Sequence, residues 1–567
     1  MIKSKMTYAL SAIAMSFSTG IMAPAVFAES APTSCEGIEN CAEIKTAEDL
    51  AGFFVSTGQG RFVTREGKST MIISNDFTMS ADYYIKDVDL SIYLGDQTVA
   101  MKDFSFLFYD SVVNIYGDNG SLTNADAYYA PLYLRENTVA SINGGSIIGG
   151  QSEVVDGDKT YDPEPAVYLE NGAKLVLNGG TLTAKTWALN AFANTEFTMN
   201  GGTVSATGDG SIAIAGNGTT DPASGNYGGN AKFTINGGVI ESGELGIYAP
   251  QVDGVTTING GNIEALTGVE VRAGTLNIYG GSIVVLDGAK YEVVGNGSGS
   301  TTTGAAVAVA QHTTRKPINV NITGGTFVGP VAFSEADPQD GDPVDVNLSI
   351  SGGAFVGDIV SENYDLKDFV KSGDFSNYFE NGERNASINI NGPVVADSPI
   401  SFAVSEVEKS ALTLADNGNK ATLVAAFDFS LRDENGAIVS VNKEDGTELT
   451  ISVIISDEQY EALKDKKVMV AFFDEEGKES GERVEGFLSQ REDGVWIVTF
   501  VTNHLSTYGI VAEEENSGES ETADTTTPET GTMTAAGASA ANAAIVTAIA
   551  VGLLTSIVSF AYLIRRR

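Results

Sequence analysis

The chain reads as all-β: a parallel β-helix (β-solenoid) followed by a small β-sandwich-like domain, between an N-terminal signal peptide and a C-terminal transmembrane segment. Three observations carry that reading. A short unit of alternating apolar residues ending in Asn-Gly-Gly recurs through the middle of the 567-residue chain. Helical spacing is absent across the same stretch. Both ends carry an apolar segment flanked by basic residues.

The elements follow in order. In residues 1–28, Lys3 and Lys5 precede an apolar run, and Val26-Phe27-Ala28 offers small residues at a cleavage position, the pattern of a secretory signal. Residues 29–68 form an N-terminal cap region holding both cysteines, Cys35 and Cys41. In an exported chain this pair closes a small disulfide loop; in a reducing compartment it is two idle thiols, and the spacing fits no common zinc pattern. Thr46-Ala47-Glu48-Asp49-Leu50 predicts a short helix that caps the open end of a solenoid and blocks edge-to-edge pairing.

Residues 69–395 are assigned to the β-helix, with irregular strands to about Leu122 and clear repeats after it. Leu175-Val176-Leu177-Asn178-Gly179-Gly180 returns as Phe197-Thr198-Met199-Asn200-Gly201-Gly202 and as Phe233-Thr234-Ile235-Asn236-Gly237-Gly238. Ile388-Asn389-Ile390-Asn391-Gly392-Pro393 reads as a last, degenerate copy. First glycines fall at 144, 179, 201, 237, 260, 280, 324 and 352, and the 44-residue gap reads as two units. Periods of this length mark a solenoid, here of roughly ten to fourteen coils. Leu175 and Leu177 point inward, Val176, Thr198 and Thr234 outward, and Gly-Gly turns the corner. One unit cannot bury its own apolar stripe, so coils stack at about 4.8 Å. The recurring Asn then forms a hydrogen-bonded amide ladder.

Residues 396–512 are assigned to the sandwich-like module: a hairpin around Asn435-Gly436, further strands, and a short helix near 458–466. Residues 513–526 are acidic and rich in Ser and Thr, the composition of a disordered tether. Within 527–567, residues 541–564 are long and apolar enough to span a bilayer, with Arg565-Arg566-Arg567 on the cytoplasmic side.

Thr527-Pro528-Glu529-Thr530-Gly531, the apolar span and the terminal arginines together resemble the sorting signal of sortase substrates of the LPXTG type, with Thr527 where that family has Leu. The resemblance implies cleavage between Thr530 and Gly531 by a sortase and coupling to peptidoglycan. The chain would then sit on the cell surface, attached to the wall or held by the C-terminal helix. The repeats resemble the pectin-lyase-like β-helix of bacterial surface proteins. The run from Val498 to Tyr508 is similar to the end of modules found beside sorting signals, which implies a stalk role.

Formal net charge is −41, and loss of both ends leaves 28 basic against 74 acidic residues. That balance argues against nucleic acid and anionic lipid as partners. Lyases of the resembled fold combine calcium with a basic residue; here Arg272 is isolated and reads as a surface arginine. His312 and His504 have no nucleophile partner, and His504 is expected to pack within its domain. Among so many carboxylates no catalytic pair can be picked. Two acidic insertions could take calcium, Asp156/Asp158/Asp162 and Asp337/Asp340/Asp342/Asp345. Tyr128, Tyr129 and Tyr133 are sugar-stacking candidates whose plainer reading is strand packing. No catalytic residue is assigned. The expectation is an adhesin or surface-coat protein binding glycan or cell-surface ligands along the solenoid. The alternative is a wall-attached polysaccharide lyase or glycoside hydrolase, and a third reading is a scaffold without a specific ligand. Clustered carboxylates with a basic residue would favour the enzyme; a flat side of Thr, Ser and Asn would favour the adhesin.

Overall fold

The computed structural model describes residues 32–514 except 127–128, 157–158, 217–228, 296–298, 313–314, 340–344, 379–383, 393–399, 417–419, 434, 440, 442–446, 482 and 492–493. The segment read as a signal at 1–28, all but the first two residues of the stretch read as a tether, the residues 527–531 read as a sorting motif and the apolar stretch 541–564 lie outside these residues. Among the described residues no helix is long and apolar enough to cross a membrane. Among the described residues, 57% are strand and 5% helix, an all-β fold.

Alternating apolar residues and glycine corners produce a three-sided parallel solenoid. On the first side, Lys174–Ala184 stacks on Glu196–Met199, then Lys232–Ile235, Val255–Ile258 and Gly274–Ile278. On the second, Thr203–Ala206, Val239–Ser242, Asn262–Ala265 and Ser282–Val285 follow one another. On the third, Trp187–Ala191, Ile212–Gly216, Leu245–Ala249 and Thr267–Val271 do the same. Eleven parallel pairings join twelve first-side strands, from Cys41–Ile44 to Val346–Ser361. Leu175, Leu177, Phe197, Met199, Phe233 and Ile235 are buried in the continuous core. The outward Val176, Thr198 and Thr234 are partly exposed.

The corner after the first side holds the expected ladder. Asn178 Nδ2 donates to Asn143 Oδ1, Asn200 to Asn178, Asn236 to Asn200 and Asn259 to Asn236, each at 2.8 Å. Its two glycines are required for different reasons. Gly202 has φ +80°, and a Cβ on Gly201 would lie 2.9 Å from the Asn178 carbonyl oxygen of the preceding coil.

Four details differ from the sequence expectation. The 44-residue gap is one coil, because Gly274–Ile278 pairs directly with Ile318–Ile322; insertions between them supply the extra length. The degenerate copy at Ile388 is no coil: Arg384–Asn391 runs antiparallel to Val370–Tyr378. A period-two pattern marks a strand but not its pairing direction. Cys41–Ile44, inside the stretch assigned to the cap, already pairs in parallel with the next coil. The strands between Ser69 and Leu122 are as regular as the rest, with Asp89–Tyr93 and Val112–Tyr116 in register.

Both ends of the solenoid are closed. Helix Ala47–Phe53 starts at a Thr46–Asp49 capping box and buries Leu50 and Phe53 in the core. A disulfide joins Cys35 to Cys41 beside it. At the other end the strands form a hydrogen-bonded ring. Val346–Ser361 pairs with Val370–Tyr378, which continues through Arg384–Asn391, Glu448–Ile454, Trp496–Thr502 and Val484–Gln490. The ring then passes through Lys467–Phe473, Thr507–Glu513, Ala421–Asp433 and Ile400–Glu406. It returns to Val346–Ser361 by the pair Ile359–Ile400. Helix Asp457–Leu463 and the turn at Gly436 stand where the sequence predicts them. Glu513, read as the start of the tether, is the buried last residue of its strand and holds Arg483 at 2.5 Å.

Candidate functional site

Because the strands of each side stack on one another, outward residues separated by a whole coil become neighbours. On the first side one outward row reads Val176, Thr198, Thr234, Thr257, Asn277 and Asn321. The row beside it carries Lys174, Glu196 and Lys232, paired at 3.0 and 3.7 Å. The hydrogen bond from Lys174 holds the Glu196 carboxyl below its ordinary range. The second side presents Ser146, Thr181, Thr203, Val239, Asn262 and Ser282. Each of these sides thus carries one row of mostly small polar groups at one-coil spacing, beside a row that includes Lys174, Glu196 and Lys232 on the first side and Glu241 and Glu264 on the second.

The third side is different. Its outward row runs Tyr84, Leu107, Tyr133, Tyr168, Asn190, Ala215, Tyr248 and Glu270. Tyr133 stacks on Tyr168 at 5.0 Å and Tyr168 on Phe192 at 5.9 Å, so these rings spend their faces largely on one another. Tyr133 thus has the strand-packing role of the plainer reading, while Tyr129 is 47% exposed and Tyr128 lies outside the described residues. Arg135 holds Glu170 at 2.7 Å and lies 5.0 Å from the Tyr133 ring centre. Tyr168 Oη donates to Glu164 Oε2 at 2.5 Å. Burial lifts the Glu164 carboxyl above its ordinary value against the Tyr168 hydrogen bond, and burial lifts Glu170 against the pull of Arg135. Burial also pushes the Tyr133 and Tyr168 hydroxyls far up.

Arg272 is not a surface arginine: its side chain and that of Glu270 are both 0% exposed. Its Nη1 donates to the Gly299 carbonyl at 2.6 Å and to Tyr248 Oη at 3.3 Å. Glu270 accepts from the Thr301 and Thr302 amides at 2.9 and 3.0 Å and from Thr301 Oγ1 at 3.0 Å. Burial, the largest influence, raises the Glu270 carboxyl, and the Thr301 amide bond opposes it. This cluster clasps the insertion between Ser282–Val285 and Ala305–Ala310 against the third side. The sequence could not place it, because the clasp joins residues some 30 positions apart across an insertion of irregular spacing.

The remaining candidates are dispersed. Arg315 Nη1 grips both Asp337 oxygens at 2.8 and 2.7 Å. The Asp345 carbonyl accepts from the Ile318 amide, while Asp340 and Asp342 lie outside the described residues. Asp158 and the Asp156 side chain also lie outside them, and Asp162 is exposed. Among the described residues no group of three or more His, Cys, Asp or Glu is placed to hold a metal ion. The His312 carbonyl caps a turn to Arg315. His504 packs edge-on against Phe472 at 4.6 Å, with Nδ1 3.0 Å from Asn503 Oδ1. It lines a groove of about 460 Å³ with Phe472, Val501 and Tyr508, whose hydroxyl burial pushes to about 12.

One column escaped the sequence reading. At the corner from the third side to the first, Asp87, Asp110, Asn137, Asn171, Asn194, Asn230 and Asp253 all have positive φ, between 46° and 65°. Asn and Asp tolerate this conformation best after glycine. Its sequence signal, this Asn or Asp shortly before seven of the twelve first-side strands, is a single residue per coil and easily lost beside Asn-Gly-Gly.

The chain matches no protein family, curated protein or solved structure.

Proposed function

We propose that this is a wall-anchored surface protein whose solenoid binds a glycan or cell-surface ligand along its flat polar sides, as an adhesin or surface coat. The observation that carries the reading is the Thr, Ser and Asn array of the first and second sides. Such an array offers many equivalent hydroxyl and amide groups at one-coil spacing rather than a single deep pocket. The sorting motif at 527–531 and the tail behind it support attachment through Thr530 to peptidoglycan by a sortase. The closed ends of the solenoid disfavour end-to-end assembly, and so count against a scaffold that works by self-association.

A second reading has one specific observation in its favour. Glu164 and Glu170 are partly buried carboxyls with raised proton affinity, flanking Tyr168 on the third side. A glycosidase acid needs such a carboxyl.

A glycan and polysaccharide screen of the secreted chain, with and without calcium, separates the two. Binding without new reducing or unsaturated chain ends is the expected result. Cleavage abolished by Glu164→Gln would replace the adhesin with the enzyme. Neither binding nor cleavage across the screen would remove both glycan readings.

A further inference from the structure

Nine Asn-Gly pairs fall within the described residues, and the fold treats one of them differently. An Asn-Gly pair can deamidate when the glycine amide nitrogen attacks the Asn side chain. An amide hydrogen already held by a carbonyl is a poorer start for that step. The Gly201, Gly237 and Gly260 amides of the ladder donate to Leu177, Met199 and Ile235 carbonyls, each at 3.3 Å. Gly120 and Gly392 donate to carbonyls of other coils or strands at 2.7 Å, and Gly436 to Asp433 within its turn at 2.9 Å. Gly179 lies opposite Asn143 in paired strands, and Gly144 sits at the register shift of the same corner. The ladder asparagines are also fixed by neighbours: Asn200 Nδ2 donates to Asn178 Oδ1, and Asn236 donates in turn to Asn200 Oδ1.

Asn171-Gly172 lacks the first of these protections, the held glycine amide, although the Asn171 side chain donates to Glu136. Asn171 is exposed, in the left-handed column at φ 52°, and no hydrogen-bond acceptor for the Gly172 amide stands among the described residues. The fold also explains why glycine follows. A Cβ at 172 would lie 2.8 Å from Asn137 Oδ1 of the preceding coil. The other asparagines of the column, Asn137, Asn194 and Asn230, are followed by Thr138, Thr195 and Ala231, whose side chains hinder the same attack.

We propose that Asn171 is a self-modification site, the preferred position of deamidation in the folded protein. The Gly172 nitrogen loses its proton and bonds to Asn171 Cγ, and ammonia leaves to give a succinimide. Water then opens the ring at either carbonyl, yielding aspartate or isoaspartate with one added negative charge. That charge falls where Asn171 Nδ2 now donates to Glu136 Oε1 at 3.1 Å, and one residue from Glu170, the partner of Arg135. A favourable contact between coils becomes a repulsion at the edge of the third side.

The test is peptide mapping by mass spectrometry of the full chain, aged in mildly alkaline buffer, native and in concentrated urea. In the native arm, acid at 171 should accumulate several-fold faster than at 200, 236 and 259. In urea, where the sequence alone decides, the difference should vanish. Equal native rates, or a ladder position leading, would overturn the proposal. So would the same preference for 171 in both arms, which would assign the selectivity to local sequence. Asn171→Asp should weaken protection of the Asn137 amide, which donates to the Asn171 carbonyl, in hydrogen exchange. Unchanged protection there would refute the coupling between coils.

Discussion

Gly202 and Gly436 share a φ of +80° but not a neighbourhood. A Cβ at 202 would stand 2.6 Å from the Gly180 carbonyl oxygen, whereas one at 436 would meet nothing within 4 Å. Both substitutions to alanine pay the left-handed penalty of about 1–2 kcal/mol. Only Gly202→Ala must also push two coils apart, and overpacking of this kind costs about 1–3 kcal/mol more. Urea unfolding should therefore show Gly202→Ala losing about 1–3 kcal/mol more stability than Gly436→Ala loses. Equal losses would mean that coil spacing does not constrain the corner. Residue-scale features of this sort were legible where they repeat locally. Asn-Gly-Gly carries both the turn and the ladder in three adjacent letters. At Gly172 the left-handed φ of +85° is local, but the close approach of Asn137 was not legible, because it comes from a coil away.

At the scale of elements, legibility depended on insertions. Strand and corner recur in each coil, so the solenoid and its ladder could be read, while an insertion dilutes the period. That is why the stretch between Gly280 and Gly324 looked like two units and why Arg272 looked solitary. Its partners arrive with the inserted segment, at Gly299 and, through Glu270, at Thr301 and Thr302. Arg272 Nε lies 3.9 Å from Glu270 Oε1, and removing one member of such a buried pair typically costs about 3–5 kcal/mol, since it leaves the other uncompensated. Glu270→Ala should therefore release the insertion: the Thr301 and Thr302 amides should lose protection in hydrogen exchange while the Asn178–Asn259 corner keeps its own. Protection lost over the whole solenoid would instead make the cluster a core element rather than a clasp. Glu270→Gln, which keeps an acceptor, should retain more of that protection than Glu270→Ala.

For the whole molecule, closed ends and a charge of −41 act together. The helix packs over one end of the coil stack and the strand ring over the other, which hinders edge pairing there, and the acidic surface keeps copies apart. The same charge sets the response to pH. Glu164, Glu170, Glu244, Glu270 and Asp374 all have carboxyls raised chiefly by burial. The lowered ones, Glu43, Glu196 and Glu514, sit at the surface, led by hydrogen bonds from Lys45, Lys174 and Lys420. A raised group binds its proton more tightly folded than unfolded. Its stabilisation is therefore complete below the unfolded value, 4.5 for Glu, and is lost as pH climbs through the raised folded value. The lowered groups work oppositely, losing their contribution only as pH falls below 4.5. Thermal melts should accordingly shift upward as pH falls from 7 toward about 5, and turn down at more acid pH. Salt distinguishes the two sources. Surface self-repulsion is screened over about 8 Å at physiological ionic strength, whereas buried carboxyls are screened far less. A pH response that survives high salt belongs to the buried carboxyls, and Glu270→Gln should diminish it. A response erased by salt would reduce it to net charge alone, and the third side would then hold no carboxyl poised to take up a proton.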